Sequence, residues 1–233
     1  MSTLAIIPAR GGSKRIPRKN IKLFHGRAMI GYAISAAQLS GIFDRIVVSS
    51  DDDEILAVAV EHGAQPLTRP AELADDHTAT VPVIAHAIDA AERALNFTAR
   101  SVCCIYPAVP FLRPQDLQEA NMLSGKNGAH YVFPVVAFPS PVERALHLGE
   151  NGVLRPLFPQ NAIARTQDLR DAYYDAGEFY WGSRELWLSQ QSVHANGIGM
   201  PIPSWRAVDI DTTEDWERAE LLYEALGNRT GAR

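Results

Sequence analysis

The chain has 233 residues, 46% of them apolar, and a formal net charge of −5. That length and composition bury one substantial core, so a single domain over 1–227 is expected, with an appendage and a flexible tail at 228–233. The acidic balance argues against nucleic-acid binding; no apolar run nears the ~20 residues of a membrane span and no leader pattern opens the chain, so a cytoplasmic protein is expected.

Strand and helix signals alternate along the chain. "LAIIPA" (4–9) is a continuous apolar run of the kind found in a strand covered on both faces. A basic loop follows, and then "MIGYAISAAQLSG" (29–41) shows helical spacing that ends on Gly41. "RIVVSS" (45–50) reads as a second strand, and "DDEILAVAVEHG" (52–63) as a helix with acids in its first turn. Residues 79–95 predict a third helix, "SVCCIY" (101–106) a third strand, Pro114 to about Leu123 a further helix, and "HYVFPVV" (130–136) a fourth strand. Cys103 and Cys104, the only cysteines, sit next to each other in a strand and so point to opposite faces, which disfavours both a disulfide and a shared metal. Repeated strand–helix units predict an α/β fold, a doubly wound and mostly parallel sheet, with ligands at the loops beyond the carboxyl ends of the strands.

Residues 138–175 break this rhythm with prolines, little periodicity and a turn at "GENG". They read as a protruding arm that covers a site or pairs with a second subunit. "GEFYWGS" (177–183) returns to strand character, "GIGMPIP" and "AVDID" supply extended segments, and "TEDWERAELLYEAL" (213–226) closes the chain as an amphipathic helix, with Thr212 and Asp215 at capping-box spacing.

Charge is distributed unevenly. The first acid is Asp44, and the 43 residues before it hold seven Lys and Arg. Within "PARGGSKRIPRKN" (8–20), Arg10, Lys14, Arg15, Arg18 and Lys19 surround Ser13 and the glycine pair Gly11–Gly12, with no acid among them. Glycines let backbone N–H groups turn towards an anion, and several cationic donors together suit a triphosphate. Neither G-x-x-x-x-G-K-[ST] nor G-x-G-x-x-G occurs, which excludes the two commonest phosphate motifs and speaks against a dinucleotide-dependent oxidoreductase.

"IIPARGGSKRIPRKN" resembles the N-terminal signature of the CMP-sialic acid synthetase family, cytidylyltransferases that activate nonulosonic acids. The likeness continues in order through "VVSSDDDEI", "RPAELADDHTAT", "YPAVPFLR", "ARTQDL" and "VDIDTTEDW", and "DDHT", "CCIYP" and "YYDAGEFYW" are most similar to the pseudaminic acid branch. The resemblance implies a Rossmann-like nucleotidyltransferase fold. It implies transfer of CMP from CTP to the anomeric hydroxyl of a nine-carbon sugar acid, giving an activated sugar for surface glycan or flagellin glycosylation. It places Arg10, Gly11, Gly12, Ser13, Lys14, Lys19, Asn20, Arg69 and Thr80 on the nucleotide, and Tyr106, Arg165, Gln167 and Tyr180 on the sugar acid. Asp209 and Asp211 then hold Mg²⁺, or Mn²⁺ in its place, and the arm forms a homodimer. Arg15 stands where the sialic acid enzymes have glycine and Tyr106 where they have glutamine. Both weaken the case for a sialic acid acceptor; legionaminic, sialic and 3-deoxy-octulosonic acids remain alternatives, as does a nucleotide-binding homologue without catalysis.

The residues fit that chemistry on their own terms. Nucleotidyl transfer expels pyrophosphate, and positioning and charge stabilisation carry most of its catalysis. Asp209 and Asp211, two apart on an extended segment, face one side, as a hard oxygen-ligated ion needs; they also suit the start of a helix. Asp51 to Glu54 read either as metal ligands or as first-turn acids. Arg18 is expected to face solvent. The aromatics Tyr106, Phe179, Tyr180 and Trp181 read as core or as pocket. The seven histidines share no ligand spacing, and no side-chain general base is assigned.

Overall fold

The computed structural model describes residues 2–75, 78–126, 130–195 and 197–230, the last four by backbone alone. Strand β1 (Thr3–Pro8) leads through the basic loop to a small ribbon, β2 (Leu23–Phe24) and β3 (Arg27–Ala28), and then to α1 (Ile30–Ser40). Next come β4 (Arg45–Ser50), α2 (Asp53–Glu61), β5 (Gln65–Thr68), α3 (Thr80–Leu95), β6 (Ser101–Ile105), α4 (Pro114–Lys126) and β7 (Tyr131–Ala137). The arm carries β8 (Leu146–Leu148) and β9 (Leu154–Pro156). The chain finishes with β10 (Tyr173–Asp175), β11 (Phe179–Ser183), α5 (Arg184–Leu188), β12 (Gly197–Pro201) and α6 (Thr213–Thr230).

β1 is central, parallel to β4 on one side and to β6 on the other, and β5 extends the sheet beyond β4. β11 lies antiparallel between β6 and β7. β10 runs antiparallel along β7 and β12 parallel to it, completing the eight-stranded sheet. Its mostly parallel character agrees with the expected α/β class.

Alternation along the strands divides the interior. Ala5, Ile7, Cys103 and Ile105 face a core closed by α1, α2 and α4 through Ile34, Ile55 and Leu117. Leu4, Ile6, Val102 and Cys104 face the opposite core, closed by α3 and α5 through Ile84, Ile88 and Trp187. The two cysteines are buried, free thiols on opposite faces. Gly41 (φ 66°) and Gly63 (φ 83°) adopt the left-handed conformation needed just beyond α1 and α2.

A third cluster lies at the edge of the candidate site. Phe24 makes edge-to-face contacts with Tyr32, Trp216 and Tyr223, and Ile16, Met29, Phe111 and Ile210 complete the group. Helix α6 therefore packs on the β2–β3 ribbon rather than on the main sheet. Its first turn is fastened by the expected capping box: Asp215 N–H donates to Thr212 Oγ1 at 3.2 Å, and Thr212 N–H to Asp215 Oδ2 at 2.9 Å. The helix continues to Thr230, so it takes in residues 228–230 of the segment expected to be a tail; 231–233 lie outside the described residues. The ribbon, β5 and the short α5 had no distinct sequence signal.

In the 138–175 excursion, β8 and β9 pair antiparallel across the "GENG" turn, with Gly152 at φ 73°. Phe138, Leu146, Leu148, Val153, Leu154, Leu157 and Ile163 are all exposed there, Ile163 at 97%. No helix among the described residues is long and apolar enough to cross a membrane.

Candidate active site

A cavity of about 590 Å³ opens where β1, β5 and β6 deliver their loops. Arg10, Ser13, Lys14, Arg15, Lys19 and Asn20 line it from the basic loop, and Arg69 follows β5. Thr80 begins α3, Tyr106 follows β6, and Asp211 precedes α6. The fold thus gathers one wall from residues some 200 positions apart in sequence, at the carboxyl ends of parallel strands.

The loop owes its shape to fixed anchors. Ile16, 2% exposed, plugs into the third cluster. Buried Asn20 donates through Nδ2 to the Arg10 carbonyl at 3.0 Å, joining the two ends of the loop. Arg18, expected to face solvent, instead pairs with the Asp52 and Glu54 carboxylates, reaching Asp52 Oδ1 at 3.1 Å through Nη2. It does so from φ 58°, a conformation that non-glycine residues seldom adopt. The Arg18 guanidinium holds the Asp52 carboxyl below the usual carboxylate range. Asp52 also caps α2 by accepting from Ile55 N–H at 3.0 Å, so the loop is tied to a helix terminus. This settles Asp52 and Glu54 as partners of the loop.

The glycine pair also differs from expectation. Gly11 N–H donates to Asp51 Oδ1 at 3.1 Å rather than pointing into the cavity. A Cβ at Gly11 would meet Asp52 Oδ2 at 2.6 Å, so this glycine serves the close approach of loop and helix. A Cβ at Gly12 would meet only open space, and neither glycine lines the cavity.

Arg69 is 6% exposed and donates to Ser49, at 2.6 Å to the carbonyl and 3.3 Å to the hydroxyl. Burial lowers its pKa, and the nearby Asp51 opposes that shift. Asp211 receives Arg15 Nη2 at 2.7 Å and Lys19 Nζ at 3.3 Å, and Lys19 also donates to the Ile210 carbonyl at 2.7 Å. Asp209 is solvent-exposed and not on the cavity wall. The protein around it and then the Asp211 charge push its carboxyl pKa up.

Thr80 and Tyr106 share a hydrogen bond between their hydroxyls at 2.8 Å, and burial pushes the Tyr106 phenol up to about 12. Tyr180 does not line this cavity. Its ring meets that of Tyr106 edge to face, with centroids 5.5 Å apart, and its hydroxyl donates to Asp175 Oδ2 at 2.6 Å, where His194 Nε2 also lies at 2.6 Å. A second cavity of about 460 Å³ lies on that side, lined by Phe133, Tyr173, Tyr174, Asp175 and His194. Phe179 and Trp181 are fully buried core. Arg165 and Gln167 are exposed on the 138–175 segment and line neither cavity.

The sequence model of the family described as cytidylyltransferase matches residues 4–194. The chain belongs to the cytidylyltransferase family. The pseudaminic acid cytidylyltransferase of Campylobacter jejuni is 40% identical over 226 residues, 96% of this chain and 97% of the relative. The CMP-N,N'-diacetyllegionaminic acid synthase of Legionella pneumophila is 30% identical over 236 residues, 96% and 97% of the two chains. A solved CMP:2-keto-3-deoxy-manno-octonic acid synthetase complexed with CTP superposes with a TM-score of 0.70 over 97% of this chain and 99% of that one; at 15% identity it shows the shared fold.

As a cytidylyltransferase, the chain is a CTP-dependent nucleotidyltransferase, and its cationic cavity has the composition such a reaction needs. Two polar wall residues, Asp75 and Thr78, were not expected at the site from sequence. Asp75 accepts from Arg10 through its carbonyl at 3.3 Å, and its carboxylate takes Thr78 N–H at 2.6 Å; both residues line the cavity. Their signal was the "DDHT" stretch, whose Asp76 and His77 lie outside the described residues.

Proposed function

We propose that this enzyme transfers CMP from CTP to the anomeric hydroxyl of pseudaminic acid and releases pyrophosphate. The observation that carries the acceptor assignment is 40% identity, over nearly all of both chains, to a pseudaminic acid cytidylyltransferase. Tyr106, the bulky aromatic on the cavity wall, supports it. So does the aromatic second cavity, which suits the deoxy and acetamido groups of such a sugar.

In this reading Arg10, Lys14, Arg15 and Lys19 surround the β- and γ-phosphates, and Ser13 and Asn20 add polar contacts. The anomeric hydroxyl attacks the α-phosphorus in line and gives its proton to solvent water as the bond from that phosphorus to the β-phosphate oxygen breaks. Charge builds on the departing pyrophosphate, where the cations stabilise it. Arg69, held by Ser49, keeps a fixed donor array beside the nucleotide. Tyr106, its proton held at physiological pH by burial, serves as a hydrogen-bonding wall rather than a base.

Asp209 and Asp211 are the residues that would hold Mg²⁺. Asp211 lines the cavity and Asp209 lies two residues before it, so the pair would offer oxygen ligands to a hard divalent ion once Asp211 exchanges its Arg15 and Lys19 contacts for the ion. When bound, the ion neutralises phosphate charge and makes the sugar hydroxyl more acidic. Arg165 and Gln167 reach an acceptor only if the arm of a second subunit supplies them, and the exposed apolar residues of the arm support a homodimer built there. Two buried free thiols are compatible with a cytoplasmic enzyme.

The test is pyrophosphate release with CTP and Mg²⁺ against pseudaminic, legionaminic, sialic and 3-deoxy-octulosonic acids in turn. Turnover of pseudaminic acid well above the others is expected; turnover of another acid in its place overturns the acceptor assignment. Full Mg²⁺-dependent turnover by Asp209→Ala would overturn the metal assignment.

A further inference from the structure

Three ionisable side chains lie buried where the site-bearing segments meet. Arg206, 4% exposed, reaches Asp116 Oδ2 through Nη2 at 2.9 Å, and Asp116 is 8% exposed. Glu178, 3% exposed, feels the charges of both. Each belongs to a segment that carries a site residue. Asp116 sits in the first turn of α4 and accepts from Arg113 N–H at 3.2 Å, fastening the loop that starts at Tyr106. Glu178 stands two residues before Tyr180, and its carbonyl accepts from Tyr106 N–H at 2.8 Å. Arg206 ends a single 3₁₀ turn, Ser204–Arg206, three residues before Asp209. Two polar atoms of the cluster, the donor Arg206 Nε and the acceptor Glu178 Oε2, are buried without a hydrogen-bond partner among the described residues.

We propose that Asp116, Arg206 and Glu178 form a latch behind the active site, in which Arg206 is the positioning residue that sets the Asp209–Asp211 segment against Tyr106 and Tyr180. One guanidinium neutralises one carboxylate, and a second buried negative charge would be uncompensated. Glu178 therefore carries its proton at neutral pH: burial pushes it up to about 8, with Arg206 opposing and Asp116 reinforcing the shift. Above that pH the latch holds two negative charges against one positive, and the segment loosens. Ångström-scale misplacement of reacting groups is costly even when its origin is remote, and here it falls on the two carboxylates assigned to the metal.

The proposal rests on the reading of Asp209 and Asp211 as those carboxylates, and the test separates the two. The half-saturating Mg²⁺ concentration is measured on the whole enzyme with CTP and acceptor, alongside the thermal midpoint. Arg206→Met alone leaves Asp116 buried and unpaired, so it is combined with Asp116→Asn, which removes the charge and keeps an oxygen to accept from Arg113 N–H. The double variant is expected to melt with the wild type yet need about tenfold more Mg²⁺, the scale seen when outer-shell partners of a metal are lost. Arg206→Lys should recover part of that loss. In the wild type the half-saturating Mg²⁺ should rise as pH passes about 8, and Glu178→Gln should flatten the rise. A stable double variant with a wild-type Mg²⁺ response overturns the latch, and so does a wild-type alkaline rise that persists in Glu178→Gln. The isosteric Glu178→Gln keeps the test decisive if the double variant does not fold. Impaired Mg²⁺ response in Asp209→Ala with none in these variants removes the latch alone; no impairment in Asp209→Ala removes the metal reading.

Discussion

Arg18 shows how a single contact changes a residue's meaning. From sequence it is one cation among five; in the structure it is turned away from the cavity and held by Asp52 and Glu54. It shapes the loop without lining the cavity. Arg18→Ala should raise KM for CTP about fivefold with kcat changed by less than about twofold, since a partly exposed pair is worth about 1 kcal/mol; steady-state kinetics checks this. Glu178 gives a prediction on stability. Its pKa is raised from an ordinary 4.5 to about 8, so the folded protein keeps a proton that the unfolded chain releases above 4.5. Its contribution is fully present below 4.5 and lost as pH rises through 8. The thermal midpoint of Glu178→Gln should therefore gain on that of the wild type between pH 6 and pH 9; parallel curves would contradict the shift. Neither role was legible in sequence, because both depend on partners from distant segments. The cations at 10, 14 and 19 and the acid at 211 were legible as residue types, because a multiply charged ligand needs several donors together.

At the scale of elements, the long periodic segments were read correctly. α1, α2 and α3 begin and end within a few residues of expectation, since apolar spacing specifies a helix locally and a left-handed residue ends it, glycine after α1 and α2 and Asn96 after α3. β11 was legible as a strand but not as antiparallel, because direction is set by pairing with β6 and β7. The β2–β3 ribbon escaped notice because two-residue strands carry no period, yet it provides the surface for α6. That gives the helix cap a functional consequence. Thr212→Ala removes the capping hydroxyl and should cost about 1 kcal/mol, read by urea denaturation. It should also lower turnover, because Asp211 N–H shares the Asp215 carboxylate with this cap at 3.2 Å.

At the scale of the molecule, a mostly parallel sheet delivers cations from its first loop and the Asp211 carboxylate from the last segment before α6 to one cavity. The alternating pattern made the sheet and the position of the site legible, but the destination of the arm was not, since nothing local specifies what covers an exposed hairpin. The proposed homodimer through the arm is tested by Leu148→Glu with Leu154→Glu, at residues 64% and 56% exposed: if the protein sediments as a dimer, the pair should leave the subunit folded while shifting it to monomer and raising KM for the sugar acid. An unchanged dimer would show that the arm is not the interface. Cytidylyl transfer to one sugar acid is the decisive reaction. Phosphorus NMR of the enzyme with CTP, Mg²⁺ and pseudaminic acid should show one phosphodiester signal and one pyrophosphate appearing in equal amounts as CTP is consumed. CTP that stays intact with pseudaminic acid, but is consumed with another sugar acid under the same conditions, would contradict it.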